Sequence, residues 1–110
     1  MIILDTALKS REAEGRPVRV GMIGAGFMGR GIALQIERYV PGMRLVAIYN
    51  RTPSEAHRAF REAGVAGSVD VGNVSALEQL IEKGGYAVSE SPEDICRAEN
   101  IDVVIEVTGA

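Results

Sequence analysis

Apolar runs alternate with amphipathic segments along most of this chain. Three runs are apolar at nearly every position, which is typical of strands covered by helices on both faces; they are Val18–Ile23, Met43–Tyr49 and 101–107. Between these runs, apolar residues recur every three or four positions, which is the spacing of an amphipathic helix. This spacing predicts helices over about 27–39, 53–63, 73–83 and 92–99. The alternation predicts an α/β fold with a mainly parallel sheet.

Weaker patterns complete the predicted fold. Segment 65–72 indicates a weak third strand or a loop, and segment 86–89 indicates a short strand. A helix is also predicted over residues 2–15, which separates an N-terminal helical extension, residues 1–15, from a main domain, residues 16–110. The predicted core includes the apolar stripe of the first main helix, which is formed by Met28, Ile32, Ile36 and either Tyr39 or Val40.

Glycines follow the first apolar run in the spacing G-x-G-x-x-G, at Gly24, Gly26 and Gly29. Between a strand and a helix, this motif is typical of a turn that binds phosphates at the helix N-terminus. The first glycine turns the chain, the second lets a pyrophosphate approach the backbone, and the third packs the helix against the strand. We therefore predict a doubly wound, Rossmann-type fold in which a dinucleotide pyrophosphate contacts the backbone of Gly24, Gly26, Phe27, Met28 and Gly29.

The second apolar run ends in Asn50, Arg51 and Thr52. NAD-binding folds place an Asp or a Glu here to accept hydrogen bonds from the ribose hydroxyls. Asparagine carries no charge that would repel a ribose phosphate, arginine can pair with the phosphate, and threonine adds a hydroxyl donor. These residues therefore predict NADP rather than NAD. The stretch also fits a helix start, with Thr52 as the cap and Glu55 closing a capping box, and the two interpretations are compatible.

The last apolar run ends in Thr108 and Gly109. Parallel strands bring their carboxyl ends to one edge of the sheet, so we predict that these two residues lie beside the nicotinamide end of the cofactor. Glu106 is the acidic residue at the end of this run. Because buried charges are paired, we expect it to pair with a loop or with a region outside this chain.

Three further residues are weaker candidates for chemistry. Arg30 lies in the first turn of a predicted helix, where its charge opposes the helix dipole, and this makes it a candidate for a phosphate contact. His57 is predicted to be a surface residue, because no partner Asp or Cys is marked near it. Cys96 is predicted to be a small core residue. The sequence marks no catalytic residue and no metal site.

Composition narrows the classes of function. The chain has 110 residues and a net charge of -3, without a basic cluster, which argues against a nucleic-acid partner. No apolar run approaches the roughly 18 residues of a membrane span. With a single cysteine and no signal-peptide pattern, we expect a cytoplasmic protein. Dehydrogenases that use dinucleotides need a second region for the substrate, so we expect this chain to be the N-terminal portion of a larger enzyme.

Three segments also carry a family resemblance: 24–35 (GAGFMGRGIALQ), 50–52 (NRT) and 102–109 (DVVIEVTG). They resemble the N-terminal part of homoserine-dehydrogenase-like oxidoreductases. With the predicted helix over residues 2–15, the chain is similar to the branch that includes a 1-deoxy-D-xylulose 5-phosphate reductoisomerase-like enzyme. The resemblance implies an NADP-binding domain followed by a substrate and dimerisation domain. It implies that the catalytic lysine and acidic groups lie in that later region.

Three hypotheses about function follow. In the first, the chain is the NADP(H)-binding domain of an oxidoreductase that transfers a hydride to or from a carbonyl or alcohol carbon. The small-molecule substrate would then contact a region outside this chain, and a homo-oligomer is compatible with the unpaired edge of the last strand. The alternative is a non-catalytic regulatory module that senses a dinucleotide. The third is a purely structural α/β domain that binds no cofactor.

Overall fold

The computed structural model describes residue 15 and residues 17–108. The predicted N-terminal helix, the domain boundary that follows it and Gly109 therefore lie outside the described residues. Within the described ranges, no helix is long and apolar enough to cross a membrane.

Strands and helices alternate through the described residues. The strands are β1 (Val18–Ile23), β2 (Met43–Tyr49), β3 (Val69–Val71), β4 (Ala87–Ser89) and β5 (Val103–Glu106). The helices are α1 (Phe27–Tyr39), α2 (Pro53–Glu62), α3 (Val74–Glu82) and α4 (Pro92–Arg97). All strand pairs are parallel, and the sheet order is β3-β4-β2-β1-β5. This topology confirms the predicted α/β fold with a doubly wound parallel sheet.

Helices cover the sheet on both faces. In the first layer, α1 and α2 pack on one face, and Met22 and Phe60 are fully buried between them and the sheet. In the second layer, α3 and α4 pack on the other face, where Leu77 and Ile95 are fully buried. The apolar stripes of the helices thus face the apolar strands, as their periodicity predicts.

The second strand shows why a continuous apolar run is needed in the centre of the sheet. The four residues Leu45–Ile48 are all fully buried. The register between β1 and β2 shifts between Val20 and Gly21, and Leu45 and Ile48 then join the first core layer whereas Val46 and Ala47 join the second. Each side chain of this run therefore has a buried place on one face or the other.

The two strands at the edges of the sheet are shorter than their predicted runs. β5 has only β1 beside it, and Val103 and Val104 remain 42% and 39% exposed. At the opposite edge, the weak pattern over 65–72 gives only the three residues of β3. An apolar run in the sequence therefore marks a strand but does not show whether both faces are covered.

Two predictions about the core are wrong. In the stripe of α1, Ile36 is buried, whereas Met28 and Tyr39 are 70% and 66% exposed, because these two residues lie at the ends of the helix, beyond its contact with the sheet. Cys96 is exposed, because α4 is a short helix that turns Ile95 into the core and leaves its neighbour at the surface.

The order of the strands places a crevice beside β1. From β1 the chain moves to β2 on one side, and it later returns to β5 on the other side. This reversal is the topological switch point of the sheet. In open α/β sheets, ligands bind in the crevice outside the carboxyl ends of the strands at such a point.

Candidate functional site

The glycine turn, residues 24–29, begins directly after β1 at this switch point. Gly24 has φ of 110°, a conformation that L side chains rarely adopt. A Cβ atom there would lie 3.0 Å from the backbone of both Val107 and Thr108. The Gly24 N–H donates to the Tyr49 carbonyl oxygen at 2.7 Å, and this hydrogen bond fixes the turn against the end of β2. Glycine is therefore required both for the turn and for the close approach of the chain that follows β5.

The other two glycines of the motif have different surroundings. A Cβ atom on Gly29 would lie 2.9 Å from the Gly24 carbonyl oxygen, so a larger residue would separate α1 from β1. A Cβ atom on Gly26 would meet nothing within 4 Å. The Gly26 backbone therefore faces open space at the start of α1, where a ligand can approach it closely.

The first turn of α1 has backbone donors without side-chain caps. The first intrahelical bond runs from the Arg30 N–H to the Gly26 carbonyl oxygen at 2.9 Å. The N–H groups of Phe27, Met28 and Gly29 precede it, and no side chain caps the helix at Gly26. No acidic residue lies in this turn. The arrangement can accept an anion, because the helix dipole and the N–H groups both favour negative charge.

The ribose loop, residues 50–52, lies beside the glycine turn. The Asn50 Oδ1 atom accepts a hydrogen bond from the Ala25 N–H at 2.9 Å, and its Nδ2 atom donates to the Thr52 carbonyl oxygen at 3.0 Å. Thr52 occupies the N-cap position of α2, but its side chain makes no capping hydrogen bond. The predicted capping box is therefore wrong in its hydrogen bond, although Pro53 does begin the helix.

The exposed side chains of Arg51 and Thr52 complete the ribose loop. Within residue 15 and residues 17–108, the Arg51 guanidinium makes no hydrogen bond or ion pair. An exposed guanidinium beside an exposed hydroxyl can receive a phosphate without first breaking another contact.

Arg30 does not join this loop. Its Nη1 atom lies 3.5 Å from the Glu55 carboxylate and its Nε atom lies 3.2 Å from the Glu62 carboxylate, both on α2. Arg30 thus has an ion-pair role between α1 and α2, its Nη1 atom also lies 3.5 Å from the Ala25 carbonyl oxygen, and its contact with a phosphate stays a prediction. Arg58 joins the same cluster and donates to Glu62 at 2.8 Å. This hydrogen bond lowers the pKa of Glu62 and raises that of Arg58.

Thr108 lies at the end of β5, against the glycine turn. The Val107 N–H donates to the Ile23 carbonyl oxygen at 2.8 Å, which continues the pairing of β5 with β1. The Glu106 carboxylate accepts hydrogen bonds from the hydroxyl and the N–H of Thr108, and these bonds lower the pKa of Glu106. The expectation that Glu106 pairs with a loop is confirmed. The premise that it is buried is wrong, because Glu106 is exposed.

The structure brings most of the predicted residues together. The glycine turn, the ribose loop and Thr108 follow the ends of three adjacent strands, β1, β2 and β5. Sequence reasoning missed Ala25, whose N–H is the partner of Asn50. That contact joins residues 25 positions apart, and no local pattern marks it.

His57 also has partners that the sequence did not mark. Its Nδ1 atom lies 2.6 Å from the Ser68 hydroxyl and its Nε2 atom lies 2.9 Å from the Asp70 carboxylate. The side chain is 23% exposed, so His57 is partly at the surface, and the premise that no partner Asp lies near it is wrong. These contacts join α2 to β3 at the edge of the sheet, away from the glycine turn. In the described part of the chain, no group of three or more His, Cys, Asp or Glu residues is arranged to hold a metal ion.

The sheet order and the glycine turn define the chain as a Rossmann-type α/β domain. Its fold is similar to that in the crystal structure of scyllo-inositol dehydrogenase from Lactobacillus casei, which contains the cofactor NAD(H) and scyllo-inositol. The TM-score is 0.58 at 23% sequence identity, over 84% of this chain and 21% of that enzyme. This chain thus spans about a fifth of that enzyme's length. No protein-family model matches the chain, and no curated protein matches it significantly.

Proposed function

We propose that this chain is the NADP(H)-binding domain of an oxidoreductase that moves a hydride to or from a carbonyl or alcohol carbon. The observation that carries the proposal is the uncapped start of α1, where the Gly26 backbone faces open space at the switch point of the sheet. Gly24 and Gly29 are held in this turn by contacts that tolerate no side chain. A structural domain that bound no ligand would have no need of so open a turn.

Each part of the cofactor has a place in this proposal. The pyrophosphate contacts the backbone of the glycine turn, residues 24–29, and the ribose phosphate lies at the ribose loop. The nicotinamide end lies beside Thr108 and Gly109. The bound cofactor would donate or accept the hydride, and this domain supplies the cofactor's position and its electrostatic surroundings.

The preference for NADP rests on the ribose loop. No residue from 50 to 52 is acidic, and the exposed Arg51 guanidinium offers the planar fork that pairs with a phosphate. The Lactobacillus casei enzyme holds NAD(H), which lacks the 2′-phosphate, so the similarity of fold gives this preference no support. The choice between the cofactors therefore has to be measured.

We infer in addition that the substrate and the catalytic groups contact a further region of a longer enzyme of the homoserine-dehydrogenase-like kind. Two observations support the further region; neither bears on the homoserine-dehydrogenase-like kind, which rests on the sequence resemblance of segments 24–35, 50–52 and 102–109. The chain spans only 21% of the structural neighbour. The apolar side chains of Val103 and Val104 on the edge strand β5 stay partly exposed, as expected of a surface that another part of the protein covers.

A calorimetric titration of this chain with NADPH and, separately, with NADH tests the proposal. We expect both dinucleotides to bind and NADPH to bind more tightly. Equal affinities would contradict the NADP preference but retain the dinucleotide site. Binding of neither cofactor would contradict the site itself.

A further inference from the structure

Asn50 belongs to the ribose loop and contacts the glycine turn, and these two loops form the proposed site. Its side-chain oxygen accepts from the Ala25 N–H at 2.9 Å, within the glycine turn. Its side-chain nitrogen donates to the Thr52 carbonyl oxygen at 3.0 Å, within the ribose loop. Ala25 is fully buried, and Thr52 is the residue from which α2 starts. One side chain thus connects the turn after β1 with the loop after β2.

These two contacts require an amide. The Ala25 N–H needs an acceptor and the Thr52 carbonyl oxygen needs a donor, and an asparagine side chain provides one of each in a fixed plane. An aspartate of the same shape could accept from Ala25 but could not donate to Thr52. It would also place a negative charge beside the ribose loop. The two hydrogen bonds of the loop therefore favour an amide at position 50, independently of which cofactor binds.

We propose that Asn50 is a positioning residue, which sets the spacing between the glycine turn and the ribose loop and acts on the cofactor through that spacing. This inference rests on the proposed function. It differs from a role for Asn50 as a direct ligand of the ribose phosphate. The neutral charge that spares the 2′-phosphate is then a consequence of the loop's need for an amide.

The two roles predict different effects on the cofactors. NADPH and NADH share the pyrophosphate and the adenosine, so a change in the spacing of the loops weakens both by the same factor. Loss of a direct contact with the 2′-phosphate weakens NADPH alone. The ratio of the two affinities therefore separates a positioning residue from a ligand.

The test uses Asn50→Ala and Asn50→Asp, with Asn73→Ala as a matched control. Asn73 also accepts from a backbone N–H, that of Ala76 at 2.7 Å, but it does so at the start of α3, outside the proposed site. We expect Asn50→Ala to weaken both cofactors about tenfold, the size of effect that two lost hydrogen bonds produce, with an unchanged ratio. We expect Asn73→Ala to bind both as the wild type does.

A second measurement needs no cofactor. Amide hydrogen exchange at Ala25, followed by NMR, reports the contact with Asn50 directly. We expect exchange to become about tenfold faster in Asn50→Ala, which loses one hydrogen bond. It should stay slow in Asn50→Asp, which keeps the acceptor. The aspartate variant also covers the case in which the alanine variant does not fold, because faster exchange at Ala25 in Asn50→Asp, which keeps the acceptor, would overturn the connection.

Each adverse result has a distinct meaning. If Asn50→Ala weakens NADPH and leaves NADH unchanged, Asn50 is a direct ligand and the positioning role is overturned. If exchange at Ala25 is the same in Asn50→Ala and in the wild type, the connection between the loops is overturned, whatever the cofactor does. If the wild type binds neither cofactor while exchange at Ala25 responds as expected, the connection is real and the proposed function is what fails.

Discussion

Arg51 is the residue on which the choice between NADP and NAD depends most directly. It is exposed beside Thr52, and it carries the charge of the ribose loop. We predict that Arg51→Ala weakens NADPH binding by about 1–3 kcal/mol, typical of a lost hydrogen bond to a charged group, and leaves NADH binding nearly unchanged. Calorimetric titration measures both affinities.

A control must remove the same charge elsewhere. Arg97→Ala does so on the exposed surface of α4, in the opposite helix layer, and we expect it to affect neither cofactor. Equal losses for NADPH and NADH in Arg51→Ala would contradict the role of Arg51 as the selector.

The ion-pair cluster between α1 and α2 gives a prediction about pH. The Arg58 side chain donates to Glu62 and holds the pKa of that carboxyl below its ordinary value. Because the folded-state pKa is lowered, the contribution of the pair to stability is present above the unfolded pKa and is lost as the pH falls through the folded one. We expect Arg58→Ala to raise the pKa of Glu62, as measured by an NMR titration of the carboxyl group.

Glu93 provides the internal reference for this titration. Its pKa is lowered by a hydrogen bond from the Ser91 hydroxyl on α4, which Arg58 does not contact. The pKa of Glu93 should therefore stay low in the Arg58→Ala variant. An unchanged pKa of Glu62 would show that Arg58 is not what holds it.

Contacts between distant residues limit what the sequence could predict at this scale. The residue types of the ribose loop are visible in the sequence, but the bond from Asn50 to Ala25 joins positions 25 apart. The partners of Arg30 and His57 lie on another helix or strand in the same way. Hydrogen bonds and ion pairs of this kind depend on how elements pack, and periodicity carries no information about them.

At the scale of elements, the N-cap residues of α2 and α3 can be compared directly. The Asn73 side chain accepts from the Ala76 N–H at 2.7 Å and caps α3, whereas the Thr52 side chain makes no capping bond at α2. We predict that Asn73→Ala lowers the free energy of unfolding by about 1 kcal/mol, the usual cost of a lost cap. Thr52→Ala should stay within about 0.5 kcal/mol of the wild type, as surface substitutions do. Urea denaturation measures both, and equal losses would contradict the assignment of the caps.

Elements with strong local signals were predictable, and the weak pattern over 86–89 also marked β4, whereas the weak pattern over 65–72 did not fix the bounds of β3. The bounds of β1 and β2 follow from apolar runs between turn residues, and α1 begins where the glycines predict. The cap at Thr52 shows the limit, because a capping residue marks where a helix starts without fixing which way its side chain turns. The exposure of β5 depends on which elements lie beside it, and the apolar run alone does not contain that information.

At the scale of the whole molecule, two kinds of surface meet at the start of α1. The polar site lies at the carboxyl edge of the sheet, on three loops. A groove of about 760 Å³ runs along α1, where apolar side chains such as Ile32, Ile36 and Met43 line it, and none of residues 50–52 contributes to it. The groove is therefore separate from the ribose loop but shares Phe27 and Met28 with the glycine turn, which remains the centre of the proposed site.

Gly26 provides the most direct test of the phosphate site proposed at the glycine turn. Its φ is -72° and a Cβ atom there would meet nothing within 4 Å, so Gly26→Ala should fold without strain. In the cofactor complex, the same methyl group would stand where the pyrophosphate approaches the backbone. Gly31→Ala is the matched control, because a Cβ atom at Gly31 also meets nothing within 4 Å and Gly31 lies within α1, after the glycine turn.

The deciding measurement is the affinity of both variants for NADPH by calorimetric titration. We predict that Gly26→Ala loses about 1.4 kcal/mol or more of binding free energy for NADPH, which is at least a tenfold loss of affinity. We predict that Gly31→Ala binds NADPH as the wild type does. If Gly26→Ala folds and binds NADPH as tightly as the wild type, the phosphates do not approach this turn. The proposed dinucleotide site would then be wrong.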